Sequence, residues 1–487
     1  MFILSTIVIL FIFYIYINYF AKFKSYGKKS LKGPMPIPLL GNLHQFDWKG
    51  VRPNNPWIYF HSIYGKAYRI WMGDTYTVVI NDIDLIKTLL IKNSEITLGH
   101  PDTPTFNYYS DGYVDLILSK SNDWKEKRDL ISRSITKTKI KHIYKLLDHQ
   151  IGNLLKCMEY HRVNEIPFTP RKNIQRYAMN TMLRIIMDKE IPYDHQGVGD
   201  GQMKDLLHEL DILFLDMGAG KIGDYVDILK PFLFYYYKLF NTCLPRIKQI
   251  IKVEFDKHLS TFDPEQHIST PRDLFDIMIN EYQGDKEKIP SILSMGFDVI
   301  FAGTDTTSGT IEWCLMYLVN YPEYQEKCYN ELISVHGNDQ ITLDHRQSTI
   351  FLNAFIKESM RSRPIGPFGV PRSCSQDIEL EHIFIPKGAQ ILINYCGISR
   401  NPQYFDNPYE FNPFRFINSN QDFTMFGWGK RNCPGQLLAS DKIYLAIANI
   451  LLNYKLKSVD GKPIDDTDYF GMTLHPSLFD IKLEKRK

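Results

Sequence analysis

The chain has 487 residues, 44% of them hydrophobic and 23% charged, ordinary globular usage that excludes a disordered, collagen-like or low-complexity protein. Its 57 basic and 55 acidic residues leave a formal charge of +2, and a near-neutral body argues against nucleic-acid binding. Seven cysteines, at 157, 243, 314, 328, 374, 396 and 433, are odd in number, widely spaced and without a C-x-x-C. That pattern fits buried free thiols in a reducing compartment better than a disulfide framework or a zinc site.

Residues Phe2 to Ala21 carry no charge, and a helix of that length spans the hydrocarbon core of a bilayer. With no positive n-region and no A-x-A-like cleavage site, residues 1–21 read as a transmembrane anchor rather than a signal peptide. Lys22, Lys24, Lys28, Lys29 and Lys32 follow, and residues 1–46 hold no acid. The positive-inside rule then puts the rest of the chain in the cytosol. Pro34, Pro36 and Pro38 favour an extended, semi-rigid spacer, so 22–42 is a basic, proline-rich hinge. Residues 43–487 show no composition break and form one body.

Within that body, Ala67 to Ile80 alternates about Gly73-Asp74 and predicts a β-hairpin. From about 83 to 330 the patterns are mostly helical, with 284–330 one long apolar helix or two in sequence, and Pro322 marking a helix start. Residues 341–363 are helical again, and 364–395 is rich in proline and β-formers, with Phe384-Ile385 a strand before a turn. The aperiodic stretch 400–435 is a long irregular loop, and loops of that length are usually functional. Helical spacing returns over 436–453.

Cys433 lies in Phe426-Gly-Trp-Gly-Lys-Arg-Asn-Cys-Pro-Gly435, where this loop enters that helix. Pro434 suits a first helical turn, which puts the sulfur at a helix N-terminus, where free N–H groups favour a thiolate. Gly429 and Gly435 let backbone approach something flat and bulky, and Arg431 is suited to a carboxylate. Alone, Cys433 reads as an inert cysteine beside a glycine-rich turn. The whole constellation suits a haem iron with propionates. It matches F-x-x-G-x-R-x-C-x-G throughout and resembles the cytochrome P450 family of haem-thiolate monooxygenases.

Four further motifs stand in the order of that family. Ala302-Gly303-Thr304-Asp305-Thr306-Thr307 places an acid and threonines amid apolar residues of a long helix, where polar groups are costly; the resemblance implies that Thr306 and Asp305 handle the protons of O–O cleavage. Glu358 and Arg361 share one helix face, and with Arg415 of Pro413-Phe-Arg-Phe416 the resemblance joins them in a buried structural cluster pinning the cysteine loop. Trp124 and Arg128, in W-x-x-x-R, would contact one haem propionate, and Arg372, with Arg431, the other. The resemblance departs at Ser399, where relatives often carry His, a position expected to be peripheral.

The resemblance implies a mainly α fold with smaller β-sheets (α+β), a single cytochrome P450-like fold preceded by the transmembrane helix. It implies haem b bound by Cys433 as axial ligand, with Phe426, Gly435, Trp124, Arg128, Arg372 and Arg431 in the cofactor site. It further implies insertion of one oxygen atom from O2 into a lipophilic small molecule. The chain has no flavin or dinucleotide motif, so electrons would come from NADPH through a membrane-bound NADPH-cytochrome P450 reductase, with cytochrome b5 as a further donor. The expected location is the endoplasmic reticulum membrane, single-pass, in contact with lipid. A basic stretch, Lys125, Lys127, Arg128, Arg133, Lys137, Lys139, Lys141 and Lys145, with Lys430, offers a docking face, though a solvated helix face explains most of it. The pocket would be lined near Phe106, Tyr108, Tyr109 and Tyr113, by 210–235, by Phe297 and Phe301, by 365–370 and by 472–474. The alternatives are a reductase-independent haem-thiolate isomerase or dehydratase, which often lacks the acid–alcohol pair, and a non-enzymatic membrane haem protein.

Overall fold

In the computed structural model the described residues are 2–24, 30–46, 50–135, 143–193, 201–218, 220–337, 340–380, 383–417 and 423–486, without the side chains of 2–4, 8, 18, 21–24, 121–122, 201–204 and 218. Lys28, Lys29, Lys137, Lys139 and Lys141 lie outside them, as do the side chains of Lys22 and Lys24.

Among the described residues helices dominate, and ten short strands make four small sheets. The strands are β1 (Ala67–Met72), β2 (Thr75–Ile80), β3 (Arg372–Ser373), β4 (Ile378–Leu380), β5 (Ile383–Ile385), β6 (Gln390–Ile393), β7 (Tyr454–Ser458), β8 (Asp468–Phe470), β9 (Leu474–Pro476) and β10 (Ile481–Lys485). The hairpin expected at 67–80 is present, pairing Ala67 with Ile80 and Met72 with Thr75. Its tight turn is supplied by Gly73 at φ 56°, a left-handed conformation that glycine adopts without strain. β6 joins β2 in parallel and β3 antiparallel, completing the order β1-β2-β6-β3. The other sheets are the pairs β4-β5, β7-β10 and β8-β9.

The apolar run over 284–330 is two helices. The long helix Ile289–Asn320 ends because Tyr321 precedes a proline and takes an extended ψ of 72°. Pro322 then opens the helix Pro322–His336. The long helix is buried almost throughout and packs on the helices Pro170–Met187 and Gln436–Asn453. The expected helix over 341–363 is a 3₁₀ turn, Leu343–Ser348, followed by the helix Ile350–Ser362. The described residues of 400–435 form the expected irregular segment, with one 3₁₀ turn at Pro413–Phe416.

Two expectations need correction. The helix after the cysteine begins at Gln436, with Gly435 as its cap, so Pro434 and Cys433 lie in the turn before it. At the N-terminus, Phe2–Lys24 is one helix, but among the described residues no helix is long and apolar enough to cross a membrane.

Candidate functional site

The six other cysteines are buried and Cys433 is exposed. Cys433 keeps accessible surface although protein surrounds most of it. Burial therefore pushes the thiol up, while the Gly435 N–H and Arg128 act in the opposite direction. The loop is held by its own backbone: Cys433 N–H donates to Phe426 O at 2.7 Å. Gly429 has a reason other than room for a flat group. It sits at φ 74°, and a Cβ there would lie 1.9 Å from the Leu90 carbonyl oxygen. Gly435 does leave room, since a Cβ there would meet only the Cys433 sulfur at 4.0 Å.

Four cationic or basic side chains converge on this loop. Arg128, on the helix Ser121–Ile135, donates to Asn432 O at 2.6 Å and Asn432 Oδ1 at 2.7 Å. Arg431 donates to Ile117 O at 3.0 Å and to Ser119 O, and its guanidinium lies over the Trp124 ring at 4.1 Å. Arg372 donates to Arg431 O at 3.0 Å and to His100 Nε2 at 3.2 Å, while His100 Nδ1 donates to Pro371 O at 2.7 Å. Among the described residues, none of the three arginines makes an ion pair with a carboxylate, and Arg431 Nε is buried without a partner. Burial pulls Arg431 down to about 9 and Arg372 down to about 10, and each is further depressed by a neighbouring arginine. Burial, with Arg372 and Arg431, holds His100 well below its ordinary range. Trp124 thus reaches Arg431, and Arg128 reaches the residue beside the cysteine.

The long helix is continuously buried from Ser294 to Leu318 except at Ala302, Gly303 and Thr306. Ala302 and Thr306, one turn apart, give the core helix a partly open face, whereas a Cβ on Gly303 would lie 2.7 Å from Met182 Sδ. Thr306 Oγ1 donates back to Ala302 O at 2.7 Å, the local bond threonine makes inside helices. Asp305 does not pair with Thr306. Its two oxygens accept from Thr473 and from His475 Nε2, the latter at 3.0 Å. Burial works to raise the Asp305 carboxyl, but His475 and Thr473 outweigh it and hold it below the usual carboxylate range.

Glu358 and Arg361 are fully buried. Arg361 donates to both Glu358 oxygens, at 2.7 and 2.8 Å, and to the carbonyls of Ser399, Pro408 and Glu410. Glu358 also accepts from Arg415 Nε at 3.2 Å and Asn412 N at 2.8 Å. Ser399 is consequently not peripheral: it is fully buried and its carbonyl is an Arg361 ligand at 2.7 Å.

The expected docking face is thinner than the sequence suggests. Lys127 is buried on Asp123 and Val114 O, Arg128 serves the cysteine loop, and Arg133 pairs with Asp129 and Glu281. Lys125 and Lys430 share Glu95. Of the expected pocket segments, 365–370 and 472–474 meet through Leu474 N donating to Ile365 O at 2.8 Å, and Phe301 stacks between Phe214 and Phe297. Tyr108 and Tyr109 instead pack on Tyr237 of the helix Lys230–Phe240. Sequence reasoning missed His100, Asn432, Thr473, His475 and Glu312, which carry no local pattern and gain meaning only through contacts distant in sequence.

The profile of the family described as Cytochrome P450 matches residues 31–483. Among curated proteins, the chain is 38% identical to the probable cytochrome P450 508A2 of Dictyostelium discoideum over 100% of both chains. It is 39% identical to the probable cytochrome P450 508A1 of the same organism, over 99% of this chain and 98% of the other. Among solved structures, a zebra fish cytochrome P450 with abiraterone superposes with a TM-score of 0.77 at 23% identity, over 90% of this chain and 99% of that one. With the buried guanidinium cluster around Cys433, these matches define the class, a haem-dependent monooxygenase. The chain belongs to the cytochrome P450 family and is an oxidoreductase.

Proposed function

We propose that the chain is a membrane-anchored haem-thiolate monooxygenase that inserts one oxygen atom from O2 into a lipophilic substrate, drawing NADPH electrons through a partner reductase. The observation that carries the reading is the surplus of positive charge around Cys433. The three arginines are largely enclosed and, among the described residues, ion-paired with no carboxylate; burial, with Arg372 and Arg128, pushes Arg431 down, Asp115 only partly offsets them, and the cluster calls for an anionic group. The two propionates of haem b fit that demand, and the exposed Cys433 sulfur fits its iron.

Cys433 would hold the haem iron, Phe426 and Gly435 would help hold the group beside it, and Arg128, Arg372, Arg431 and Trp124 would hold its carboxylates. Haem, when bound, supplies the activation of O2 and the oxygen transfer. The chain's part is orientation and proton handling. The partly open face at Ala302 and Thr306 leaves space beside the long helix. Thr306 Oγ1 can turn from Ala302 O to hold a proton in that space, and Asp305 is one residue away to resupply it. The aromatic stack of Phe214, Phe301 and Phe297 supports an apolar substrate, and a zebra fish relative of the same fold was solved with progesterone.

Membrane attachment is supported by the N-terminal helix. Ile7, Ile9, Leu10, Ile12, Phe13 and Ile17 are each 51–65% exposed and point to all sides of it, so no packed protein face accounts for them. The helix Lys230–Phe240 adds Phe232, Leu239 and Phe240 at 67–74% exposure, a patch suited to a bilayer surface. Lysines after the anchor favour a cytosolic body on the endoplasmic reticulum. Lys125, Lys145 and Lys430 remain for an acidic donor, the reductase or cytochrome b5.

The test is a reduced, CO-bound difference spectrum of wild type and Cys433→Ser. A strongly red-shifted Soret band, absent in the variant, is expected; a band typical of histidine ligation, or no haem, would refute the assignment. NADPH-dependent turnover that collapses in Thr306→Ala excludes the isomerase and carrier readings, and unchanged turnover there refutes the role given to Thr306.

A further inference from the structure

Nine residues after Cys433, on the helix Gln436–Asn453, Lys442 is buried in the core. Its ammonium has three N–H donors, and three acceptors surround it: Ala178 O and Gly303 O, each at 3.1 Å, and Met182 Sδ at 3.5 Å. Burial is the one influence on its amine, so no neighbouring charge compensates it. Tyr177 donates to the Lys442 carbonyl at 3.1 Å. Tyr177 and Ala178, adjacent on the helix Pro170–Met187, thus clasp the lysine at its backbone and at its tip, and the tip meets Gly303 of the long helix. Gly303 permits that approach, because a Cβ there would run into the Met182 side chain.

A buried amine with no counter-charge is costly, and a methionine side chain of similar length would fill the same space without that cost. What the amine adds is a bond to one particular carbonyl. In a regular helix the oxygen of Gly303 accepts from the N–H four residues on, that of Thr307. A second donor arriving from the side tilts such a carbonyl outward and lengthens its ladder bond. The preceding carbonyl, of Ala302, also carries a side-chain donor, Thr306 Oγ1 at 2.7 Å. Two successive carbonyls are therefore engaged from outside the ladder, in the turn that carries the partly open face at Ala302 and Thr306.

We propose that Lys442 is a positioning residue for Thr306: by drawing the Gly303 carbonyl outward it widens the turn, and the widened turn gives the Thr306 hydroxyl room to swing from Ala302 O into the recess. Lys442 passes no proton; it acts through the backbone of Gly303. The inference rests on the reading of Thr306 as the group that holds a proton in that space.

The experiment compares full-length, haem-loaded wild type, Lys442→Met, Thr306→Ala and the double variant, with the CO difference spectrum and melting temperature reporting haem loading and folding. Amide hydrogen exchange resolved to single residues reads the turn directly. In wild type the Thr307 N–H is expected to exchange faster than those of Trp313 and Leu315, which are as fully buried on the same helix. In Lys442→Met, where the Gly303 oxygen returns to the ladder, Thr307 is expected to be protected about tenfold more, the equivalent of one ordinary hydrogen bond. A lysine that only holds helices together predicts equal or lower protection in the variant, and that result overturns the proposal. With a P450 reductase, NADPH and progesterone as the lipophilic probe, Lys442→Met is expected to lose product formed per NADPH at unchanged KM. The double variant is expected to lose no more than Thr306→Ala alone; losses that multiply overturn the action through Thr306. If Lys442→Met does not load haem, the wild-type comparison decides: faster exchange at Thr307 supports the proposal, and protection equal to that of Trp313 and Leu315 overturns it. If wild type itself shows no thiolate spectrum and no turnover, the monooxygenase reading falls and the task given to Thr306 with it, whereas exchange at Thr307 still reports the Lys442–Gly303 bond.

Discussion

Replacing Glu358 by alanine tests whether the buried ionic cluster holds the segment leading to the cysteine loop. The carboxylate accepts from Arg361 twice, from Arg415 and from the Asn412 N–H. Without it Arg361, at 0% side-chain exposure, has no counter-charge, a loss of about 3–5 kcal/mol for a buried pair broken on one side. The three carbonyls that also ligate Arg361 keep that figure near its lower end. The orphaned Asn412 N–H adds about 1–3 kcal/mol. A total on the order of 4–6 kcal/mol is a large part of the stability of an ordinary domain. Glu358→Gln keeps an acceptor for Asn412 and is expected to lose about half as much. Glu358→Leu combined with Arg361→Met removes both charges and is expected to cost less than the two single changes added together. Urea unfolding followed by far-UV circular dichroism, at matched haem loading, gives all these values. A loss under about 1 kcal/mol for Glu358→Ala would place the pair with solvated surface pairs and refute the argument.

Other consequences are as direct. Lys442 is fully buried, with its Nζ 3.1 Å from Ala178 O and Gly303 O, and burial pulls its amine from the ordinary 10.5 to about 7. The unfolded chain therefore binds more protons between those values, so stability rises with pH through that window, by up to about 5 kcal/mol. Denaturation midpoints measured from pH 7 to 10 in wild type and Lys442→Met should show that slope only in wild type. Gly429→Ala places a Cβ 1.9 Å from Leu90 O in a left-handed backbone. It is expected to lower haem incorporation and to cost at least about 1–2 kcal/mol from the backbone conformation alone; a normal CO spectrum and melting temperature would refute this. Deleting residues 2–24 should move the protein from the membrane pellet towards the supernatant with its Soret band intact, and unchanged sedimentation would refute the anchor as sole attachment.

Much of the cysteine loop was legible because its residues are adjacent in the chain, and a ten-residue pattern carries its own context. The hairpin at 67–80 and the helix at 436–453 were legible for the same reason, since alternation and helical period are local. The bounds of that helix agree with its spacing, but Pro434 was assigned to its first turn because proline suits a tight turn as well as a first helical turn, and only the backbone decides between them. Ser399 was misjudged because its contribution is a carbonyl group, which its side-chain identity does not report. Lysines on one helix face were read as a docking surface, but Lys127 folds inward onto Val114 O, a contact set by a segment thirteen residues earlier.

His475 was hidden by the same physics at longer range. Nothing in Met472-Thr-Leu-His-Pro476 marks an ionisable partner 170 positions from Asp305. What could have hinted at it was Gly309, a glycine in a helix interior where glycine costs about 1 kcal/mol, spaced i+4 from the acid. A missing side chain on the stripe of a buried carboxylate means that something else lies there. Two clusters of the molecule then differ in electrostatic character. Around Cys433, on the one hand, the chain gathers three arginines that, among the described residues, form no ion pair with a carboxylate, a setting suited to an anion. Beside Asp305, on the other, it buries Asp305 and Glu312 with His475 and brings the half-buried Arg171 to their edge. On that side burial pushes the Glu312 carboxyl up, while His475 and Thr473 hold Asp305 down, so two acids on one stripe of a buried helix are set apart in proton affinity by their neighbours alone.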